Sequence, residues 1–137
     1  MDKRTAGAFT MELLRPGLSH TIWQGEATAQ AFRELREFGL ACREASGPGA
    51  VMNGIIDARE ATGLDRGARK ELQELGRAKP WDRVVFIGVR FEVKVLLELV
   101  IRALQLMKMD TAEVSFVDTA EQAEAWLADG PTPPAGP

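Results

Sequence analysis

Hydrophobic and polar residues alternate in two short runs near the start of the chain. The first run spans residues 8–14 and the second spans residues 18–23. A period of two over this length is typical of a half-buried strand. Because Arg15-Pro16-Gly17 separates the two runs, we expect them to form an antiparallel hairpin.

Longer elements follow, and strands alternate with helices. A helical period begins near Thr28 and ends at the breaker Ser46-Gly47-Pro48-Gly49. The later predictions are a strand at 50–57, a loop at 58–64, a helix from its N-cap Asp65 to Lys79, a strand at 83–89, a helix at 91–109, a strand at 113–118, and a terminal helix that buries Ala123, Trp126 and Leu127. This alternation predicts an α/β domain with a mainly parallel sheet of four to five strands and an N-terminal β-hairpin.

The predicted helix at 91–109 is more apolar than one buried stripe requires. Beyond its inward positions it carries Phe91, Val95, Leu99 and Leu106. Plain burial in the core leaves several of these large side chains unexplained. Two further interpretations stay open, namely a homodimer surface and a wall of a pocket for an apolar ligand.

Composition and charge narrow the classes of function. The 137 residues are 45% hydrophobic and 27% charged, with a formal net charge of −3, which favours a globular domain over a nucleic-acid binder. No apolar run reaches the roughly 20 residues of a membrane span, and the N-terminus lacks the apolar run of a secretory signal. We therefore expect a cytoplasmic protein.

Residues suited to catalysis are few. Cys42 and His20 are each the only residue of their type, so a cysteine metal site has no second ligand, and both are expected to be structural. Asp57 and Glu60 follow a predicted central strand, where ligands bind in open α/β sheets, but they are equally suited to solvated loop charges. No phosphate-binding glycine motif occurs. The sequence thus predicts no enzyme, cofactor or metal.

One family resemblance covers most of the chain. The residues that carry it are Gly54-Ile55-Ile56-Asp57-Ala58-Arg59-Glu60 with Thr62-Gly63, Trp81 to Gly88, and Glu113 to Asp118 followed by Glu121, Ala123, Ala125, Trp126 and Leu127. This pattern resembles a STAS-type domain, the anti-sigma-factor-antagonist fold, and within it the SpoIIAA-like branch. The resemblance implies helices packed mostly on one side of the sheet and no catalytic activity.

The resemblance also implies a mode of action. Classical members bind partner proteins and are often switched by phosphorylation at the start of a helix that follows a central strand. Ala61-Thr62-Gly63-Leu64 resembles that signature, although Ala61 replaces a serine, and this would place Thr62 at the acceptor position. The SpoIIAA-like branch is also similar to CRAL-TRIO lipid-binding domains, which implies a carrier of an apolar molecule as the alternative.

Two candidate sites follow from these observations. A partner-binding or phosphorylation site is expected at Asp57, Arg59, Thr62, Gly63, Asp65 and Arg66, and an apolar ligand or dimer surface at Phe91, Val95, Leu99 and Leu106. The leading hypothesis is a non-enzymatic module that binds a protein partner. The domain is expected to span residues 1–129, and the proline-rich tail at 130–137 is expected to be disordered.

Overall fold

The structure, a computed structural model, describes residues 2–130 of the chain. The strands are β1 (Arg4–Ala6), β2 (Phe9–Arg15), β3 (Leu18–Ala27), β4 (Asn53–Leu64), β5 (Arg83–Ile87) and β6 (Glu113–Val117), and the helices are α1 (Ala29–Ser46), α2 (Ala68–Ala78), α3 (Phe91–Leu106) and α4 (Ala120–Ala128). The expectation of a disordered tail concerns residues that, Gly130 apart, lie outside the described part of the chain.

All six strands form one sheet in the order of the sequence, β1-β2-β3-β4-β5-β6. The strands β1, β2 and β3 pair antiparallel, whereas β3, β4, β5 and β6 pair parallel. The predicted α/β class, the hairpin and the mainly parallel remainder are confirmed. The described sheet has one strand more than the predicted four to five, because β1 has only three residues, too few for a periodic pattern.

The helices are distributed unequally between the two faces of the sheet. Since β3 to β6 are neighbours in sequence order and crossovers are right-handed, α1, α2 and α3 must lie on the same face. Their buried side chains form one core cluster with Phe9, Trp23, Ile56, Val84 and Phe86. The second face holds a smaller cluster, in which α4 contributes Ala123, Trp126 and Leu127. Helices mostly on one side are thus confirmed.

The prediction of a loop at 58–64 was wrong. Strand β4 continues to Leu64 and stays paired with β3, with two register shifts, after its pairing with β5 ends at Asp57 and Ile87. Arg59, Glu60 and Thr62 are exposed on this extension. This extension pairs on one side only, and it is therefore partly exposed and carries polar side chains. It lacks the continuous apolar run by which a buried strand is recognised in a sequence.

The ends of three helices refine the predictions. Helix α2 begins at Ala68, not at Asp65, although the carboxylate of Asp65 still accepts the N–H of Ala68 at 2.9 Å. Helix α3 ends at Leu106 instead of residue 109, and Lys108 adopts a left-handed conformation. Helix α4 begins with the predicted capping box, formed by Thr119 and Gln122.

A buried arginine joins α4 to the sheet. Arg83 of β5 is 3% exposed, and its guanidinium donates hydrogen bonds to the carbonyls of Trp126 and Leu127 at 3.1 and 3.3 Å. Its carbon Cζ lies 4.0 Å from the ring centroid of Trp126. A cation is favourable at the C-terminal end of a helix, where carbonyl groups lack partners, so this one side chain fixes the last turn of α4.

We expect Arg83→Met to loosen α4. The substitution removes two charge-assisted hydrogen bonds and a cation–π contact, and we expect the free energy of unfolding to fall by about 2 kcal/mol. Hydrogen exchange should accelerate in α4 more than in α1. Arg102→Met, on the exposed side of α3, is the matched control and should change both quantities little. Equal effects of the two variants would contradict the role assigned to Arg83.

Candidate functional site

The candidate site lies at the carboxyl edge of the parallel strands. Strands β4 and β5 end there, and α2 and α3 begin there. In open α/β sheets this edge is where ligands and partners usually bind. The six residues of the predicted partner site, at 57–66, and Phe91 of the predicted apolar surface all fall on this edge or on the β4 extension beyond it.

Asp57 and Arg59 form a closed ion pair at this edge. The guanidinium of Arg59 donates through Nε and Nη2 to the two carboxylate oxygens of Asp57, at 2.9 and 2.6 Å. The hydrogen bond from Arg59 holds the pKa of Asp57 below its usual range, against partial desolvation that raises it. Gly88 keeps room for this arginine, because a Cβ there would clash with the Arg59 side chain.

This arrangement does not favour acid–base chemistry at Asp57 and Glu60. Both residues line one shallow depression with Ile22 and Trp23. Glu60 accepts a hydrogen bond from Gln24 at 2.6 Å, while Asp57 is occupied by Arg59. A general base works best with a pKa near the operating pH, and the pKa of Asp57 is shifted the other way. Within residues 2–130, no group of three acidic, histidine or cysteine side chains is arranged to hold a metal.

Thr62 is exposed but does not lie at a helix N-terminus. It occupies a register shift of β4, between the pairs that join Gly25 to Ala61 and Glu26 to Gly63. Helix α2 begins only at Ala68. The expected placement of Thr62 at the start of a helix was therefore wrong, and a phosphate there would gain no stabilisation from a helix end. Nothing in the structure tests whether Thr62 is phosphorylated.

A shallow depression joins the end of β4 to α2 and α3. It has a volume of about 320 Å³ and is lined by Leu64, Asp65, Arg66, Arg69, Leu72, Leu96 and Val100. Within residues 2–130, neither Arg66 nor Arg69 forms an ion pair within 4.0 Å. Asp65 and Arg66 of the predicted partner site thus share a depression with the helix of the predicted apolar surface.

The apolar surface of α3 lies beside this depression. Phe91 is 75% exposed, and Val95 and Leu99 follow it at intervals of four residues, both exposed. This spacing puts the three side chains on one stripe of the helix. Leu106 is 79% exposed but lies about 22 Å from Phe91 along the helix, at a rise of 1.5 Å per residue. Leu106 is therefore separate from the stripe.

The core contains one small apolar cavity beneath the helices. It measures about 80 Å³ and lies between the sheet and α1, α2 and α3, among side chains that include Phe32, Leu35, Leu97 and Leu104. An engineered apolar cavity that binds benzene measures about 150 Å³. As it stands, this cavity is too small for a lipid chain.

Cys42 and His20 lie on α1 and on β3, respectively. Cys42 is fully buried on α1, and burial raises the pKa of its thiol to about 11, so the reactive thiolate is scarce at neutral pH. His20 lies in the middle of β3, opposite Glu12 on β2 and Ile55 on β4.

The sequence did not indicate three residues of this region. Arg69 was not predicted, because it lies in an ordinary charged stretch of α2, and Leu64 was named only as the end of the Ala61–Leu64 signature in a predicted loop. Leu96 was not among the four predicted surface residues of α3, yet it is half-buried and lines the depression. The signal in the sequence that could have indicated the depression is Leu64, an apolar residue directly before the charged pair Asp65-Arg66.

Comparisons with known proteins identify the fold. No family model matches the chain, and no curated protein is similar in sequence. The solved structure of the anti-sigma factor antagonist SpoIIAA in its unphosphorylated form superposes with a TM-score of 0.60 at 13% identity, over 90% of this chain and 100% of that one. An uncharacterized DUF3478-family protein of Shewanella loihica PV-4 with a SpoIIAA-like fold superposes with a TM-score of 0.54 at 20% identity, over 88% of this chain and 92% of that one.

The chain therefore has the SpoIIAA-like fold that its sequence pattern predicted. Identities of 13% and 20% establish the architecture and leave the activity to be argued from the surface of this chain. Among residues 2–130, no helix combines the length and the apolar character needed to cross a bilayer.

The ion pair of Asp57 predicts a pH dependence of stability. Because the pKa of Asp57 is lower in the folded state than its ordinary value of 3.8, its stabilisation is present above that value and disappears as the pH falls through the folded-state pKa. We expect Asp57→Asn to be less stable than the wild type at pH 7, and the difference to shrink at a pH well below 3.8. Urea unfolding at both pH values measures this, and a constant difference between the proteins would contradict it.

Proposed function

We propose that this chain is a non-enzymatic binding module of the cytoplasm that acts by docking a protein partner on α2 and α3. The docking surface consists of Phe91, Val95 and Leu99, the neighbouring Leu96, and the arginines Arg66 and Arg69. We call it the α2–α3 surface. The observation that carries the proposal is the exposed apolar stripe beside two arginines without ion pairs.

The chemistry of this surface indicates the kind of partner. An exposed apolar stripe with a polar rim is typical of a protein-binding site, and aromatic and arginine side chains supply much of the binding energy at interfaces. The apolar part fits Leu, Ile or Phe side chains on one side of a helix or strand, and the two guanidinium groups fit carboxylates. The expected partner is therefore an amphipathic segment with acidic residues.

The fold supports a regulatory role for this binding. One of the solved structures with this fold is described as an anti-sigma factor antagonist, in an unphosphorylated form. In this proposal the ion pair of Asp57 and Arg59 has a structural role at the carboxyl edge of the sheet. Thr62 and Gly63 lie on the β4 extension, outside the proposed surface.

A photo-crosslinking amino acid placed at Leu99 should capture the partner in cells of the source organism. Leu40 of α1, which is also exposed, is the matched control position and should give no specific product. Replacing both Arg66 and Arg69 by Glu should weaken capture at least ~10-fold, the effect of losing about 1.4 kcal/mol of binding free energy. The control double variant is Arg77→Glu with Lys108→Glu, on exposed positions away from the surface.

Two outcomes would contradict the proposal. The first is equal labelling from Leu99 and Leu40, which would indicate random collision. The second is labelling from Leu99 that the Arg66 and Arg69 substitutions leave unchanged, because the arginines would then have no part in recognition. Thermal unfolding of each variant checks that a lost crosslink does not come from a lost fold.

Native mass spectrometry separates partner binding from the carrier alternative. A carrier would have to enlarge the cavity of about 80 Å³ by moving α3 away from the sheet. We expect the gently purified protein to carry no apolar adduct, so that its mass is a whole multiple of the chain mass of 15.0 kDa. A reproducible adduct that disappears when Leu97→Trp fills the cavity would favour the carrier over the partner-binding module.

A further inference from the structure

The sheet ends on one side with an unprotected strand. Within residues 2–130, β6 has β5 as its only strand neighbour. Natural proteins usually guard such an edge with lysine, proline or a bulge. Strand β6 reads Glu-Val-Ser-Phe-Val, and its pairing with β5 is regular over all five residues. The charged side chain on the strand is that of Glu113 at its first position, and Val114, Ser115 and Phe116 carry no lysine, proline or bulge.

The backbone of β6 offers hydrogen-bonding groups outward at two positions. The N–H of Glu113 donates to Asp82, and the carbonyl of Val117 accepts from Gly88, so these residues face the β5 side. Alternate residues of a strand direct their polar groups to opposite neighbours. The N–H and carbonyl groups of Val114 and Phe116 consequently face the free edge.

We propose that β6 pairs antiparallel with the β6 of a second copy of this chain, about a two-fold axis through Ser115. In this register Val114 of each copy lies opposite Phe116 of the other, and both exchange backbone hydrogen bonds. Aromatic and β-branched side chains form favourable cross-strand pairs. Ser115 lies opposite Ser115 of the second copy in a non-hydrogen-bonded pair.

On the face of the sheet that α1, α2 and α3 cover, Phe116 is held in place by contacts within its own chain. The ring of Phe116 stacks on Phe86, with centroids 5.4 Å apart. Lys94 of α3 lies over the same ring at 5.3 Å. Beside them a groove of about 620 Å³ runs along the edge, between β6 and the side chains of Lys94, Glu98, Ile101, Arg102 and Gln105. The groove gives α3 of the second copy a place beside α3 of the first.

The two-fold axis through Ser115 would bring positive charges of the groove in one copy opposite negative charges of the groove in the other copy. A strand rises about 3.3 Å per residue and a helix about 1.5 Å, so one residue of β6 spans about the same length as two residues of α3. Helix α3 runs antiparallel to β6, so residue numbers rise along α3 as they fall along β6. Because Lys94 lies over Phe116, the axis through Ser115 passes α3 near residue 96. Lys94 and Glu98, which form an ion pair with each other at 4.0 Å within α3, lie on either side of that level. Each would in addition face the opposite charge of the second copy.

A second copy fits this edge better than the C-terminal segment of the same chain. Four of the seven residues at 131–137 are proline, and proline has no N–H to donate to a neighbouring strand. A two-fold pairing also closes on itself, which leaves no β6 edge free to recruit a third chain.

Disulfide trapping tests the register directly. In a non-hydrogen-bonded pair the Cα atoms lie about 4.5 Å apart, within the range that a disulfide spans. Ser115→Cys should give a covalent dimer under mild oxidation, since the native Cys42 is buried and does not compete. Thr5→Cys on the opposite edge strand β1 is the matched control and should give no covalent dimer.

A repulsive substitution tests the non-covalent dimer. Light scattering should give the wild type twice its chain mass of 15.0 kDa. Ser115→Asp places two like charges opposite each other and should return the mass to 15.0 kDa, while the isosteric, neutral Ser115→Asn should remain dimeric. Thermal unfolding checks that both variants are folded.

Three results would overturn the proposal. They are a wild type that stays monomeric up to near-millimolar concentration, a Ser115→Cys protein that cross-links no faster than Thr5→Cys, and a dimer that survives Ser115→Asp but is lost in Leu99→Asp. The last result would assign self-association to the apolar stripe of α3 instead of the sheet edge.

Discussion

The handedness of the crossovers is the constraint on which the rest of this structure depends. Because β3 to β6 follow one another in the sheet and each connection is right-handed, α1, α2 and α3 all cover one face. The other face is left to α4, a helix of nine residues. Its apolar contacts come from Ala123, Trp126 and Leu127, and Arg83 joins its last carbonyls to the sheet. Among the described residues, the same order leaves β6 at the margin of the sheet with β5 as its one neighbouring strand.

The carboxyl edge shows how a polar segment becomes a strand. Beyond Asp57, β4 has lost β5 as a neighbour but keeps β3. One paired side satisfies half of the backbone groups, and solvent satisfies the others, so Arg59, Glu60 and Thr62 are tolerated there. The ion pair between Arg59 and Asp57 then closes the place where a catalytic carboxylate would have to be free. The carboxylate of Asp57 at this edge is thus engaged by a guanidinium group.

The sequence predicted the elements whose environment is uniform and missed those whose environment changes along their length. Strand β5 is buried throughout, and its apolar run identified it at once. The capping box at Thr119 is a local signal and appeared where expected. By contrast, β4 passes from buried to exposed, and β1 has three residues. Of the candidate site, the sequence identified the stripe of α3 through its excess of apolar residues. The depression beside it depends on which residues of α2 and α3 meet, and that information is absent from any single helix.

The two proposed surfaces have a joint consequence. Pairing through β6 would continue the sheet across the two-fold axis and place the helices of both copies on the same face of it. The α2–α3 surfaces would then point in the same general direction, one from each copy. A partner with two docking segments, or itself a dimer, would bind the second site at a high effective concentration, and avidity can exceed the single-site affinity by about 10²–10⁴. Each individual contact could therefore be weak and readily exchanged, which suits a module that acts by competition between partners.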